Sequence, residues 1–189
     1  FCSAPRASEE LESRGVLLVL EAARRKPEVH FDLLFRPWSS GYTSLGATRK
    51  TMDEGANGNV EIRNEVVADM PAVYARNDFT VIPFTTRDGG KECPNSAVES
   101  LACGVPVLVS TACPFARFVE ENACGVTFDP NPEGLLEAVQ KGLASWPLYS
   151  AAARQTAEQH FDRAKLFAFY NALYQQAQSI EARRPPCFA

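Results

Sequence analysis

Short apolar runs alternate with longer amphipathic stretches along the whole chain, which predicts strands separated by helices. Residues 29–35 (VHFDLLF) predict a strand, and 79–83 (FTVIP) a buried one closed by Pro83. The runs 105–109 (VPVLV) and 125–128 (GVTF) predict two more, and 59–66 (NVEIRNEV), which alternates only in part, a weaker one. Residues 1–4 read as the end of a first strand. Between the strands, 15–25 carries apolar positions at 16, 17, 19, 20 and 23 and ends in Arg24-Arg25 before Lys26-Pro27, a helix stop. Asp69 is placed to cap 70–76, with Pro71 early in the helix, where its missing N–H costs nothing. Residues 96–103 stop at Gly104, a natural residue just past a helix end. Helices are also predicted over 114–122 and 132–145. Further on, Leu166, Tyr170, Leu173, Tyr174, Ala177 and Ile180 recur at helical spacing. Arg183-Arg184-Pro185-Pro186 ends that last helix and predicts a loose tail. The segment 36–58, rich in Gly, Ser and Thr, predicts one short helix around 45–52 and a loop. Strands separated by helices call for a parallel sheet with right-handed crossovers, a doubly wound α/β domain.

Composition agrees with a folded chain. Of 189 residues, 46% are hydrophobic and 22% charged, and a chain of this size buries enough surface to need no metal or disulfide staple. The net charge of −4 removes the basic footprint of a nucleic-acid binder. No stretch approaches the roughly 18 apolar residues of a membrane span. The residues after Phe1 do not read as a signal peptide, and a first residue other than Met suggests a piece of something longer. Six cysteines without close pairing predict free thiols in a reducing, cytoplasmic compartment. His30 and His160 stand alone, without the partner spacing of a metal site.

In an open parallel sheet, ligands bind beyond the carboxyl ends of the strands. The richest such junction is 84–99, FTTRDGGKECPNSAVE, which follows a buried strand and opens a helix. Gly89 and Gly90 give it flexibility and Pro94 fixes the way into the helix. Asn95 and Ser96 leave polar side chains and backbone N–H groups at a helix start, where a partial positive charge suits a phosphate. The same residues support a second reading. Ser96-Ala-Val-Glu99 has the spacing of a capping box, which would make both side chains structural.

The stretch ECPNSAVESLACGVPVLVS resembles the signature region of group 1 glycosyltransferases of the retaining GT-B type, through Pro94, Asn95, Ser96, Glu99, Ala102, Cys103, Gly104, Val105, Pro106 and Val107. DMPAVYARNDFTVIPF resembles the helix and strand that precede this signature, and FVEENACGVTF the segment that follows it. SRGVLLVLEAA resembles the Lys-Gly start of the family's first helix, so the likeness runs over about residues 10–145. It implies that Glu99 binds the ribose hydroxyls of a sugar nucleotide, since a carboxylate accepts two vicinal hydroxyls through charge-assisted bonds. It implies that Glu92 contacts the transferred sugar, although Lys91 holds the place of the family's first glutamate. Arg14 stands for the lysine that meets the diphosphate and Arg6 for an arginine a few residues before it. Lys91 and Arg87 are loop cations within reach of a phosphate. The chain departs from the family at 111–117, where Thr-Ala-Cys-Pro-Phe-Ala-Arg replaces a Gly-Gly turn followed by a glutamate.

The resemblance implies a Rossmann-like single domain, the C-terminal half of a GT-B fold, with residues 1–160 as donor-binding domain, 161–182 as a crossing helix and 183–189 as tail. It implies binding of a nucleotide-diphosphate sugar for retaining transfer to an acceptor sugar or lipid-linked acceptor. Catalysis is expected only with an N-terminal domain, through which the protein would also associate peripherally with a membrane. Glu92 and Arg14 are the expected catalytic groups, and Glu99, Asn95, Ser96, Pro94, Lys91 and Arg6 the expected substrate-binding ones. The resemblance implies no general-base side chain, because the leaving phosphate itself serves as base in this type of transfer, and no cofactor and no metal are expected. A non-catalytic sugar-nucleotide module and a GT-B relative such as a sugar-nucleotide epimerase are the alternatives.

Overall fold

The computed structural model describes residues 5, 7, 9–35 and 58–181. The predictions for residues 1–4, Arg6, the helix around 45–52 and the tail from 183 lie outside them. Within the described residues the order is α1 (Glu10–Ser13), α2 (Val16–Arg25), β1 (Phe31–Phe35), β2 (Val60–Asn64), α3 (Met70–Ala75), β3 (Thr80–Ile82), a 3₁₀ turn (Arg87–Gly89), α4 (Asn95–Ala102), β4 (Val107–Ser110), α5 (Phe115–Glu121), β5 (Gly125–Phe128), α6 (Pro132–Ala144), α7 (Trp146–His160) and α8 (Arg163–Glu181). The predicted strands and helices appear with shifted ends. Residues 146–181 form two helices, broken at Phe161-Asp162, and neither α1 nor the 3₁₀ turn has a signal in the hydrophobic pattern.

All strand pairs are parallel. β1 pairs with β2 from Phe31–Val60 to Phe35–Asn64, and β3, β4 and β5 pair in sequence order. Alternation along the strands sends side chains to two faces. Val81, Leu108, Val126 and Phe128 pack with β1, α2 and α6. Ile82, Val107 and Val109 point the other way, into a second core with Ala97 and Leu101 of α4, Val119 of α5 and Ala153 of α7. Helices on both faces of parallel strands make this the doubly wound arrangement that the alternation predicts.

Local chemistry sets the helix ends. Asp69 caps α3 by accepting from the Ala72 N–H at 3.1 Å, and Asn131 caps α6 from the Gly134 N–H at 2.8 Å. Buried Asn59, before β2, donates to the carbonyls of Ala23, Lys26 and Val29 and so joins the end of α2 to the start of β1. At the end of α4, Gly104 is left-handed (φ 73°), its N–H donates to the Leu101 carbonyl, and the Val105 N–H donates to that of Ser100. This double closure is a Schellman motif. α5 ends in the same motif, but its left-handed residue is Ala123 (φ 47°), with Ala123 N–H on Glu120 and Cys124 N–H on Val119.

α8 is different. Its described side chains are solvent-exposed, among them Leu166, Phe167, Phe169, Tyr170, Leu173 and Tyr174. Arg163 lies over the Phe167 ring at 5.1 Å, and Phe169 and Tyr170 meet edge to face at 5.8 Å. Six large apolar side chains on one helix are thus left unburied, and exposed apolar surface of this kind marks interaction sites. Even so, no helix among the described residues is long and apolar enough to cross a membrane.

Two predictions follow from these features. A left-handed L-residue costs about 1–2 kcal/mol, partly offset by the chain entropy that glycine adds to the unfolded state. Ala123→Gly should therefore raise unfolding stability by roughly 0.5–1 kcal/mol, while Gly104→Ala lowers it by a similar amount, both read by urea titration. The 189-residue chain should also sediment faster as its concentration rises, and Phe167→Glu with Leu173→Glu should abolish that dependence without lowering the melting temperature.

Candidate functional site

Parallel pairing brings the ends of β1 and β2 and the starts of α3 and α4 to one edge of the domain. There, Leu34, the Glu65-Val66-Val67 segment after β2, Met70 and Tyr74 of α3, and Asn95, Ser96 and Glu99 of α4 line a groove of about 390 Å³. It lies beyond the carboxyl ends of the strands, where doubly wound folds place their ligands. A second cavity at the opposite ends of the strands is lined by Glu28, His30, Phe31, Arg76, Asp78 and Val81 among others, and its polar groups lie past the end of α3 rather than at a helix start.

α4 begins differently from the capping box that its sequence suggests. Pro94 is the residue before its first turn, no side chain caps it, and the N–H groups of Ala97 and Val98 turn back to the Pro94 carbonyl. Ser96 therefore lies inside the helix rather than in the capping position. Proline, with φ fixed near the extended value needed (−69°), takes the cap position. The Glu99 carboxylate turns away from the helix start and accepts a hydrogen bond from the Tyr74 hydroxyl at 2.8 Å. Tyr74 itself is only 2% exposed. The polar start of α4 is thus left open toward the groove, with Glu99 one turn further along the same helix.

The loop before α4 packs closely on its neighbours. Gly89 leaves no room for a side chain against the Ser13 carbonyl, nor does Gly90 against the Phe84 ring. Pro94 is buried, whereas Lys91, Glu92 and Cys93 are exposed. Glu92 lies 3.8 Å from Arg87, both side chains more than three-quarters in solvent, and neither lines the groove. Arg14 sits on the turn between α1 and α2, with its Nε on the Glu10 carboxylate at 2.7 Å. That turn is bonded to the loop, since the Thr85 N–H donates to Ser13 and the Thr85 hydroxyl to Glu12. Of the predicted site residues, Asn95, Ser96 and Glu99 share the groove. Pro94, Arg14, Lys91 and Glu92 lie outside its lining, and Arg6 is outside the described residues.

Tyr74, Met70, Leu34 and the 65–67 segment carry no functional assignment from sequence. Tyr74 stands in the segment DMPAVYARND, whose likeness to the family is visible, but a tyrosine on a short helix reads first as core. At 111–117, where the chain departs from the Gly-Gly turn of the resemblance, the Ser110 hydroxyl accepts from the Ala112 N–H and Pro114 opens α5.

Other chemistry is weak here. Burial pushes the thiols of Cys113 and Cys124 up, Cys124 to about 11, and partial desolvation raises those of the more exposed Cys93 and Cys103, where the charge of Glu99 adds to the effect at Cys103. These four are unpaired and stay protonated at neutral pH, unsuited to act as nucleophiles. His160 packs edge-on against Phe118 at 5.2 Å, away from the groove. Among the described residues no cluster of three or more His, Cys, Asp or Glu side chains is placed to hold a metal.

The structure matches solved ones of the GT-B glycosyltransferase fold. The sucrose-phosphate synthase of Thermosynechococcus elongatus matches with a TM-score of 0.72 and 21% identity, over 89% of this chain and 43% of that one. A glycosyltransferase from Rickettsia africae matches with a TM-score of 0.76 and 15% identity, over 93% and 46%. HepE from Anabaena, in complex with UDP, matches with a TM-score of 0.74 and 18% identity, over 94% and 48%. The chain thus spans a little under half the length of these structures, as a Rossmann-like half of the fold does. Comparison with curated proteins finds no match. A comparison with sequence families matches residues 9–145 to the glycosyl transferases group 1, and with most of its length in that match the chain belongs to this family.

Proposed function

We propose that the groove binds the nucleoside diphosphate of a sugar donor, and that the chain is the donor-binding half of a retaining glycosyltransferase. The observation that carries this reading is the joining of Glu99 to the uncapped start of α4 in one groove. In it, Glu99 accepts the two ribose hydroxyls. The diphosphate lies against the backbone N–H groups at the start of α4, where helix dipole and unpaired donors favour an anion. The apolar wall of Leu34, Val66, Val67 and Met70 takes the flat face of the base. HepE crystallised with UDP, with UDP and glucose, and with UDP-glucose, which supports a nucleotide sugar as the ligand class.

The mechanism on this reading is one of positioning and electrostatic stabilisation rather than side-chain acid–base chemistry. As the glycosidic bond to the diphosphate breaks, negative charge grows on the leaving phosphate. The α4 start and the cations Arg14, Lys91 and Arg6 meet that charge, and Glu92 contacts the sugar. No metal or other cofactor enters the reaction. The acceptor, a sugar or lipid-linked sugar, is held by an N-terminal domain, and transfer takes place in the cytoplasm with that domain present, at a membrane surface for a lipid-linked acceptor.

Titration of the chain by calorimetry or NMR with UDP, GDP and ADP tests the reading. With half of the cleft absent, at least one should bind with a dissociation constant between about 1 μM and 1 mM. Glu99→Gln should weaken that ligand about tenfold or more while leaving the melting temperature unchanged. No response to any of the three would overturn the donor-site reading.

A further inference from the structure

The strongest unassigned contact in the groove is the hydrogen bond from Tyr74 to Glu99. Glu99 lies on the exposed side of α4, where a free glutamate would sample several rotamers and direct its carboxylate mostly into water. Tyr74 prevents this. Its ring is buried, its helix is capped by Asp69 and started by Pro71, and its hydroxyl donates to Oε2 of Glu99 at 2.8 Å. A carboxylate offers about four lone-pair directions over two oxygens. One is used by Tyr74, which leaves Oε1 and the remaining side of Oε2 for the ligand. Both residues line the same groove, so the tyrosine fixes the acceptor without filling the place where a ribose would lie.

We infer that Tyr74 is a positioning residue for ribose recognition: its hydroxyl holds the Glu99 carboxylate in the one orientation that accepts both vicinal hydroxyls, so it sets the preference for a ribonucleotide over a nucleotide lacking them. This rests on the proposed role of Glu99. The physical basis is preorganisation, since a carboxylate already held in place loses less freedom when the ligand binds. On this proposal Tyr74 acts through Glu99 and not by a bond of its own to the ligand. Its effect must therefore vanish when the ligand has no ribose hydroxyls or when Glu99 is neutralised.

The test compares UDP with 2′,3′-dideoxy-UDP, or GDP or ADP with its dideoxy form where that is the nucleotide that binds, on the full 189-residue chain, for the wild type, Tyr74→Phe, Glu99→Gln and the double variant. The wild type should prefer UDP by about tenfold or more. Tyr74→Phe keeps the ring and should shrink that preference about three- to tenfold through UDP alone, with dideoxy-UDP unchanged. In the Glu99→Gln background, Tyr74→Phe should have no further effect on the preference. An equal loss for both nucleotides, or an unchanged preference in Tyr74→Phe, would overturn the positioning role and leave Glu99 as the ribose acceptor. A wild type that binds both nucleotides equally, or neither, would overturn the role of Glu99 and this inference with it. A second measurement needs no variant. In protein labelled with ¹³Cζ-tyrosine, mixed H₂O and D₂O should split the Tyr74 resonance, because a hydrogen-bonded hydroxyl exchanges slowly. A single averaged line, meaning an unheld proton, would also overturn the positioning role.

Discussion

The architecture depends on two places where backbone meets backbone. Gly15 is left-handed at φ 75°, and a side chain there would sit 1.8 Å from the Pro83 carbonyl oxygen. Gly89 faces the Ser13 carbonyl, with 2.2 Å for any Cβ. Between them the Thr85 N–H donates to Ser13 at 3.0 Å. Residues 12–15 are thus pressed on the chain as it leaves β3, closer than any pair of side chains would allow. The turn that starts α2, whose apolar face covers one side of the sheet, is keyed to the loop that leads into α4 on the other. Any substitution that separated them would move both layers together, and with them the edge on which the groove is built.

That edge has an asymmetric foundation. The far end of α4 is closed several times over. Gly104 and Val105 complete the Schellman turn, the Ser100 hydroxyl donates to the Val105 carbonyl, Ser150 of α7 to that of Gly104, and Arg154 to that of Ala102. Ala97 and Leu101 are fully buried beneath it. The near end has no side-chain cap, a loss of about 1 kcal/mol for an ordinary helix. The helix tolerates this because its stability comes from packing and from its C-terminal closure. A surface helix held only by its own propensity would need that cap, and the cap would occupy the N–H groups that face the groove.

Much of this was legible in the residues. The unbroken apolar run of Val107, Leu108 and Val109 shows a strand buried on both faces, and the Asp69-Met-Pro71 and Gly104 signals fix two helix ends. The dense match from Pro94 to Val107 marks α4 and its junction with β4. What escaped is instructive. The spacing of Ser96 and Glu99 fits a capping box as well as a ligand site, and local spacing does not record that Pro94 had already taken the cap position. Tyr74 lies 25 residues from Glu99 in sequence, so only the parallel fold, which sets α3 beside α4, makes them partners. α1 and the 3₁₀ turn are too short to leave a period in the hydrophobic pattern.

The two glutamates expected to bind the donor differ sharply in how they are held. Glu99 is fixed by a buried tyrosine on a helix locked at its far end. Glu92 stands in solvent on a loop, 3.8 Å from an equally exposed Arg87, and such a pair adds little and is readily exchanged for other partners. On the proposed reading the nucleotide end of the site is therefore set before any ligand arrives, whereas the sugar end takes its shape with the ligand and with whatever domain lies opposite. Affinity for the nucleotide then belongs to this half of the fold. Alignment of the sugar for transfer belongs to the closed cleft, because only there can an exposed carboxylate lose its water and its Arg87 partner in exchange for the sugar hydroxyls.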